Sequence, residues 1–238
     1  MFIDYFIGYE KFHHYFQPIY SVVSKKKLGY EALLRSEHFL NPETAFLEAK
    51  KRNRLYELDS RSMHKAVSAY HSAGLLSKEG NLFVNVFPST ILHSSFPSFL
   101  NKIMTDFALN SQQIILEITE TECVNRFHLL KSKIFELKSQ GFQIALDDVG
   151  KGYFNFQSII ELEPNYLKLD RYLSNDLHLS RKKQALILVF LDYCKENNVQ
   201  LILEGLEKEI EVKTAESLGV PIAQGYFLGK PTSLMNTV

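Results

Sequence analysis

Residues 126–148, "RFHLLKSKIFELKSQGFQIALDD", contain the unit that decides the fold. The first part places apolar residues at helical spacing and closes on Gly141, the residue type that most often ends a helix. The second part is a short apolar run typical of a buried strand, and it ends on two adjacent aspartates, Asp147 and Asp148. The stretch therefore predicts a helix, then a strand with charged groups at its carboxyl end.

The same alternation extends along most of the chain. The β-rich runs are "YFQPIYSVV", "LGYEALLR", "NLFVNVF", "QIILEIT", "FQIALDD", "NYLKLD", "VQLILEG" and "AQGYFLG". Longer stretches of helical period lie between them, and two of these, residues 42–74 and 210–219, also close on glycine. Strands that alternate with helices indicate an α/β fold with a parallel sheet, and about eight strands favour a TIM-type (β/α)8 barrel over an open sheet. Only "SKKK" joins the first two runs, which leaves no room for a helix and predicts that these two strands are antiparallel.

Composition restricts the function further. The chain has 238 residues and no linker-like tract, so we expect a single domain over residues 1–238. Lysine plus arginine equals aspartate plus glutamate, 27 each, which disfavours a nucleic-acid polymer or an anionic membrane as partner. The two cysteines, Cys123 and Cys194, lack a metal-ligand spacing and suggest a reducing compartment. The apolar residues 184–194 are too few to span a membrane, and we interpret them as a buried helix in a soluble, cytoplasmic protein.

Polar residues gather at the carboxyl ends of the β-rich runs. They are Glu31, Arg35, Asn85, Glu117, Glu120, Asp147, Asp148, Lys168, Asp170, Glu204, Glu207 and Gln224. Any one of them is explained as a helix cap or a surface charge. Helix caps and surface charges do not explain why such residues recur at nearly every strand end. In a barrel these ends meet at one rim, where barrel enzymes place their catalytic groups.

Carboxylates crowded at one rim would repel each other and take up protons unless a cation offset them. Hard oxygen donors with one amide, Asn85, suit Mg²⁺ or Mn²⁺, and the number of acids indicates two ions, with Asp147 bridging and Asp148 binding the second. Two such ions suit phosphodiester hydrolysis, in which Lys168 positions water or offsets developing charge and Arg35 grips a phosphate. An enolase-type barrel with a lysine base beside Mg²⁺ is also compatible with these residues.

Eight motifs, in order along residues 15–231, resemble the EAL family of cyclic-di-GMP phosphodiesterases. They are "QPI", "YEALLR", "VNV", "LEITETE", "ALDDVGKGY", "LKLD", "LEGLE" and "AQGYFLGKP". The resemblance implies a modified (β/α)8 barrel with one antiparallel strand. It also implies metal-dependent hydrolysis of cyclic di-GMP to linear pGpG with Mg²⁺ or Mn²⁺, and a symmetric homodimer.

The resemblance assigns roles to particular residues. The implied metal ligands are Glu31, Asn85, Glu117, Asp147, Asp148 and Glu204, and the implied catalytic residues are Lys168, Glu204 and Glu31. The residues implied to bind substrate or brace the pocket are Gln17, Arg35, Asp170, Glu207 and Gln224. Glu120 resembles the glutamate that anchors the loop after the paired aspartates.

The chain departs from the family beside these residues. Val149 replaces a phenylalanine, Lys151 replaces a small hydroxyl residue of that loop, and Phe87 stands where serine is usual. Loss of the hydroxyl removes a hydrogen-bond partner for Glu120, although a lysine there could pair with the same glutamate. The alternative function is therefore a cyclic-di-GMP receptor or protein-interaction module with weak or no turnover. No diguanylate cyclase signature is present in the sequence, so we expect a standalone module.

Overall fold

A computed structural model describes residues 2–75, 80–119, 126–149 and 156–234. Eight strands follow one another around a closed barrel in chain order, which confirms the predicted α/β barrel class. The strands are β1 (His13–Ser21), β2 (Lys27–Arg35), β3 (Asn81–Val86), β4 (Ile114–Ile118), β5 (Gln143–Val149), β6 (Tyr166–Leu169), β7 (Gln200–Leu203) and β8 (Ile222–Ala223).

One helix precedes the first strand, and the others occupy connections between later strands. Within the described ranges they are α1 (Phe2–Gly8), α2 (Pro42–Lys51), α3 (Leu55–Ser72), α4 (Pro88–Ile91), α5 (Phe96–Asp106), α6 (Phe127–Ser139), α7 (Phe156–Leu162), α8 (Arg171–Ser174), α9 (Arg181–Glu196) and α10 (Glu209–Ser217). The helical pattern over residues 42–74 forms two helices, α2 and α3. The chain turns between them at Asn53, which has a φ of 57°.

Strand β1 is the antiparallel member of the barrel. It runs antiparallel to both of its neighbours, β2 and β8, whereas the other neighbouring pairs are parallel. The short connection between the first two strands predicted the antiparallel pairing correctly. Because β1 is reversed, its beginning lies beside the carboxyl end of β2, and Gln17 stands opposite Glu31 in the register.

Three glycines end helices as the sequence predicted. Gly74, Gly141 and Gly219 come two residues after α3, α6 and α10, and their φ angles are 68°, 92° and 85°. A left-handed backbone is favourable for glycine and costly for residues with a Cβ atom, so the chain can reverse direction there.

The barrel has two apolar layers. The larger one lies between the strands and the surrounding helices. The smaller one consists of Ile19, Phe83, Ile115, Ala145, Ile202 and Ile222, one residue from each of six strands, and Tyr166 packs against it. One such residue per strand is the arrangement expected for the filled interior of a barrel.

Residues 184–194 form a helix as predicted, but the prediction that this helix is buried was wrong. They belong to α9, in which only Ile187 and Cys194 are buried, while Leu186 and Val189 are 44% and 63% exposed. The apolar run covers more than one face of the helix, and the barrel covers only one of them. Across the described ranges, the helices are each too short or too polar to traverse a lipid bilayer.

Candidate active site

The polar side chains of the site form one layer inside the barrel. Side chains alternate along a strand, so the residue two positions beyond an interior residue faces the same way. Phe83 is followed in this manner by Asn85, and Ile115 by Glu117. We call the resulting set the inward polar layer: Gln17, Glu31, Asn85, Glu117, Asp147, Lys168, Glu204 and Gln224. Each of the eight strands contributes one of these residues or is directly followed by it.

Lys168 lies at the centre of the inward polar layer. Its Nζ atom is 2.6 Å from Glu204 Oε1, 2.8 Å from Glu117 Oε1, 2.9 Å from Asp147 Oδ1 and 3.4 Å from Glu31 Oε2. The lysine is 1% exposed and Glu117 is completely buried. Closure of the barrel therefore gathers four carboxylates from four different strands around one ammonium group.

The buried charges change the proton affinities of the cluster. Burial by itself lowers the pKa of the Lys168 ammonium, but the four carboxylates together outweigh burial and raise that pKa well above its usual range. Burial raises the pKa of the Glu117 carboxyl, and repulsion by Glu31 raises it further. Burial also raises the pKa of Glu204 despite the attraction of Lys168. Both carboxyls therefore hold protons more tightly than a glutamate in water, and a bound cation would favour their ionised forms.

Two amide side chains of the inward polar layer orient Glu31. Gln224 donates from Nε2 to Glu31 Oε2 at 2.7 Å. Asn85 Nδ2 lies 3.4 Å from both Glu31 Oε1 and Glu117 Oε2. Gln224 thus braces a carboxylate for which the family resemblance implies a metal-binding role.

A bulge in β5 turns both adjacent aspartates toward the site. The pairing of β5 with β6 shifts between Leu146 and Val149, and Asp148 has a φ of 51°. In a regular strand, neighbouring side chains point to opposite faces, but a bulge redirects one of them. As a result, one oxygen atom each of Asp147, Asp148 and Glu204 lie within 4.8 Å of one another.

This arrangement fits hard divalent cations. The donors are the carboxylate oxygens of Asp147, Asp148 and Glu204, the chemistry that Mg²⁺ and Mn²⁺ favour. Glu117 Oε1 and Glu204 Oε1 are buried and make no hydrogen bond of regular geometry in the described structure, although both lie within ion-pair distance of Lys168. Buried carboxylate oxygens that are held only by ion pairing are well placed to act as ligands of a cation.

Of the predicted substrate-binding residues, Gln17 belongs to this layer and Arg35 lies beside it. Gln17 is buried and donates from Nε2 to the carbonyl oxygen of Gly229 at 3.1 Å, which connects β1 to the C-terminal segment. Arg35 donates from Nη1 to the carbonyl oxygen of Leu34 at 2.8 Å, and its guanidinium lies 5.8 Å from the ring centroid of Tyr15.

The structure places two other predicted residues in different settings. Asp170 caps α8, because its Oδ1 atom accepts a hydrogen bond from the backbone N–H of Tyr172 at 2.8 Å. Glu207 is exposed, and its Oε1 atom lies 3.9 Å from Arg171 Nη2. Their substrate-binding role stays a prediction, as does the loop-anchoring role of Glu120, which lies outside the described residues together with Lys151.

A cavity of about 360 Å³ adjoins the inward polar layer. Glu31, Asn85, Asp147 and Asp148 line it on one side, and Arg35 also borders it. Its remaining walls come largely from the end of β2 and from α2 and α3. The acidic cluster therefore opens into a space large enough for an organic ligand.

The sequence reasoning missed two polar residues of this cavity. Asp59 of α3 is 2% exposed, and its Oδ2 atom accepts a hydrogen bond from the backbone N–H of Phe87 at 2.9 Å. Its position four residues from both Leu55 and Met63, on the buried side of the helix, was the signal available in the sequence. His14 is the second: it is buried and lines the same cavity.

The fold and the site together define a TIM-type barrel protein with an acidic site, suited to divalent cations, at the carboxyl ends of its strands. The family model described as EAL domain matches residues 6–231, so the chain belongs to the EAL domain family.

Two relatives show the range of functions found with this domain. Cyclic di-GMP phosphodiesterase PdeB of Shewanella oneidensis is 26% identical over 225 residues, which cover 92% of this chain and 26% of that protein. Blue light- and temperature-regulated antirepressor BluF of Escherichia coli is 27% identical over 220 residues, which cover 92% of this chain and 54% of that protein. The chain thus spans about half or less of the length of these curated relatives.

A solved structure is also similar. BlrP1 of Klebsiella pneumoniae, in its manganese and cyclic-di-GMP complex at pH 9.0, superimposes with a TM-score of 0.81 at 26% sequence identity. The match covers 93% of this chain and 56% of that one. This related barrel holds a divalent cation together with cyclic di-GMP.

Proposed function

We propose that this chain is a metal-dependent phosphodiesterase that hydrolyses cyclic di-GMP to linear pGpG and so lowers the level of a bacterial second messenger in the cytoplasm. The observation that carries the proposal is the convergence of four carboxylates within 3.4 Å of Lys168 Nζ. The names of PdeB and of the BlrP1 complex support the choice of substrate.

Six residues would hold two ions of Mg²⁺ or Mn²⁺: Glu31, Asn85, Glu117, Asp147, Asp148 and Glu204. When bound, the ions would activate water and stabilise negative charge on the attacked phosphate. Asp148 contributes because the β5 bulge turns it toward Asp147 and Glu204.

The chain's own groups would then orient the reactants. Lys168, held as an ammonium by its carboxylate neighbours, would position the attacking water and offset charge that develops on the phosphate. Arg35 would hold a phosphate oxygen with its guanidinium fork. The water oxygen forms the new bond to phosphorus, the bond from phosphorus to the ribose O3′ breaks, and a proton passes to O3′. The product carries a 5′-phosphate and a 3′-hydroxyl.

The second candidate is a cyclic-di-GMP receptor with weak or no turnover. The similarity to BluF, an antirepressor by name, favours it, as does the replacement of the family's loop residues by Val149 and Lys151. We rank it second because the inward polar layer and Asp148 together keep every carboxylate that hydrolysis would need.

We also propose that the chain forms a homodimer. The support is the family resemblance together with an apolar surface on α9, where Leu186 and Val189 are exposed one turn apart. Apolar side chains arranged in this way are typical of surfaces that become buried on association.

Incubation of the purified protein with cyclic di-GMP and Mn²⁺ or Mg²⁺, with chromatographic separation of products, tests the proposed function. We expect pGpG to accumulate, and we expect Glu31→Gln to lower turnover by at least about 100-fold, the usual effect of removing one group that stabilises transition-state charge. Glu163→Gln, a change of the same kind at an exposed position, is the matched control. Tight binding of cyclic di-GMP without product would instead establish the receptor.

A further inference from the structure

The cavity beside the inward polar layer is larger than a cation site requires. Its 360 Å³ are comparable to small-molecule pockets, whereas divalent ions would occupy only the side formed by Glu31, Asn85, Asp147 and Asp148. The opposite side reaches α3, where Met63 and Ala66 are buried. The rest of the space is thus bounded mainly by apolar side chains.

An aromatic pair forms part of the cavity wall. Phe46 of α2 and Phe87, which follows β3, have ring centroids 5.0 Å apart and an interplanar angle of 45°. Both rings are half-buried, unlike Phe83 and Phe96, which are 2% and 1% exposed and serve as core residues. A pair that only filled the core would be covered in the same way.

The position of Phe87 is held by a buried charge. Its backbone N–H donates to Asp59 Oδ2 at 2.9 Å, and Asp59 is itself enclosed between α3 and the barrel. Because this bond fixes the backbone at the start of α4, the ring of Phe87 is held beside Phe46 before any ligand binds.

The surroundings of the pair indicate the chemistry of its ligand. Two cationic side chains, Arg35 and Lys50, border the same cavity, and so do the carboxylates proposed to bind cations. A ligand that uses all of these features carries a phosphate group and, a short distance away, a flat apolar group. A nucleotide has this combination, and aromatic side chains bind nucleobases by stacking.

We propose that Phe46 and Phe87 form a stacking wall for one guanine base of cyclic di-GMP, a proposal that rests on the proposed function. Phe87 occupies a position where serine is usual in the family this sequence resembles, so the wall is a property of this chain. Stacking contributes equally to the bound substrate and to the transition state, and it therefore acts on KM and leaves kcat unchanged.

A tryptophan substitution tests the contact directly. The chain contains no tryptophan, so Phe87→Trp provides a single fluorophore in the wall. We expect titration with cyclic di-GMP, with Ca²⁺ replacing Mn²⁺ to slow turnover, to quench this fluorescence. Phe135→Trp, on the partly exposed surface of α6, should not respond and serves as the control.

Affinity measurements separate an aromatic contact from general packing. Phe87→Ser and Phe87→Leu should each weaken binding and raise KM by about 5- to 150-fold, the range measured for loss of one base–aromatic stack, with kcat unchanged. Phe87→Tyr keeps the ring and should keep the affinity, and thermal unfolding shows whether each variant is folded.

The outcomes distinguish failure of the proposed stacking wall from failure of the proposed hydrolysis. Quenching and weakened binding without any pGpG would support the wall and overturn the proposed hydrolysis. Formation of pGpG with unchanged KM in Phe87→Ser, or no quenching of Phe87→Trp at saturating substrate, would overturn the wall and leave the hydrolysis standing.

Discussion

Asp147 and Asp148 share one site because the backbone of Asp148 is left-handed. Its φ of 51° belongs to a conformation that costs most residues roughly 1–2 kcal/mol, although aspartate tolerates it better than residues with longer side chains. The sequence indicated that both aspartates bind cations, because two adjacent acids end an apolar run. It did not indicate the bulge, since alternation in a regular strand would point the two side chains apart.

The backbone of Asp148 leads to a prediction that separates charge from conformation. Asp148→Gly and Asp148→Ala both remove the carboxylate and should both lower metal-dependent turnover. Glycine adopts a positive φ without steric cost, so the glycine variant should have a free energy of unfolding about 1 kcal/mol above that of the alanine variant. Urea denaturation measures the difference, and equal stability of the two variants would show that the bulge carries no strain.

The central position of Lys168 predicts that divalent cations substitute for its charge. Lys168→Met leaves four converging carboxylates without this ammonium, and in a chelator it should lose about 3–5 kcal/mol of stability, as buried ion pairs do when one partner is removed. Mn²⁺ should restore much of that loss, although turnover should stay low because, in the proposed mechanism, Lys168 also positions the attacking water. Thermal unfolding with and without Mn²⁺ is the measurement. If Mn²⁺ did not change the stability of Lys168→Met, that result would contradict the cation site.

At the scale of elements, β1 is joined to α3 by a buried histidine. His14 Nε2 lies 3.0 Å from Ser62 Oγ. Burial lowers the pKa of His14 to about 3, and the positive charges of Lys65, His13 and Arg35 act in the same direction. The imidazole is therefore neutral in the folded protein at neutral pH, and protonation would place an unfavourable charge between the two elements.

The lowered pKa of His14 predicts a loss of stability in acid. In the unfolded chain His14 binds a proton with its ordinary pKa near 6.5, whereas in the folded chain its pKa is about 3. As far as His14 is concerned, the free energy of unfolding is therefore highest above pH 6.5 and decreases as the pH falls from 6.5 toward 3. At pH 5 the loss should be about 2 kcal/mol relative to pH 7. Urea denaturation of the wild type and of His14→Gln should show a flatter pH dependence for the variant. Parallel curves would mean that His14 does not titrate in this way.

The sequence predicted where helices and strands lie better than it predicted how much of each helix the rest of the protein covers. Local rules identified the glycines that end α3, α6 and α10 and the antiparallel start of the barrel, because those features depend on nearby residues. The exposure of α9 depends on which of its faces the barrel covers, and hydropathy along the helix does not contain that information. The turn at Asn53 was missed because its neighbours keep helical spacing on both sides.

At the scale of the whole molecule, the site exists only because the barrel closes. Gln224 and Glu31 are separated by 193 residues in the sequence, and their side chains form a hydrogen bond of 2.7 Å. The pattern of polar residues at strand ends predicted that both lie on one rim of the barrel, but it did not predict this contact. The same patterns placed Asp170 and Glu207 on that rim, where one caps a helix and the other is exposed. A carboxylate after a strand is also a good helix cap, and sequence alone does not distinguish the two uses.

The exposed apolar surface of α9 leads to a prediction about assembly. If this surface is covered by a second copy of the chain, Val189→Asp should shift the protein from dimer to monomer, because it places a charge in an apolar interface. Sedimentation velocity measures the change. Lys133→Asp on the exposed side of α6 is the control, and a wild type that sediments as a monomer would exclude the dimer.

The central claim is that the inward polar layer binds divalent cations for phosphodiester hydrolysis, and a titration with Mn²⁺ followed by electron paramagnetic resonance tests it most directly. We expect saturable binding of about two ions per chain in the presence of cyclic di-GMP. Asp147→Asn should weaken that binding at least about tenfold, the lower end of the effect of disturbing a metal site, whereas Asp106→Asn at an exposed position should not. Identical binding curves for the wild type and Asp147→Asn would contradict the claim.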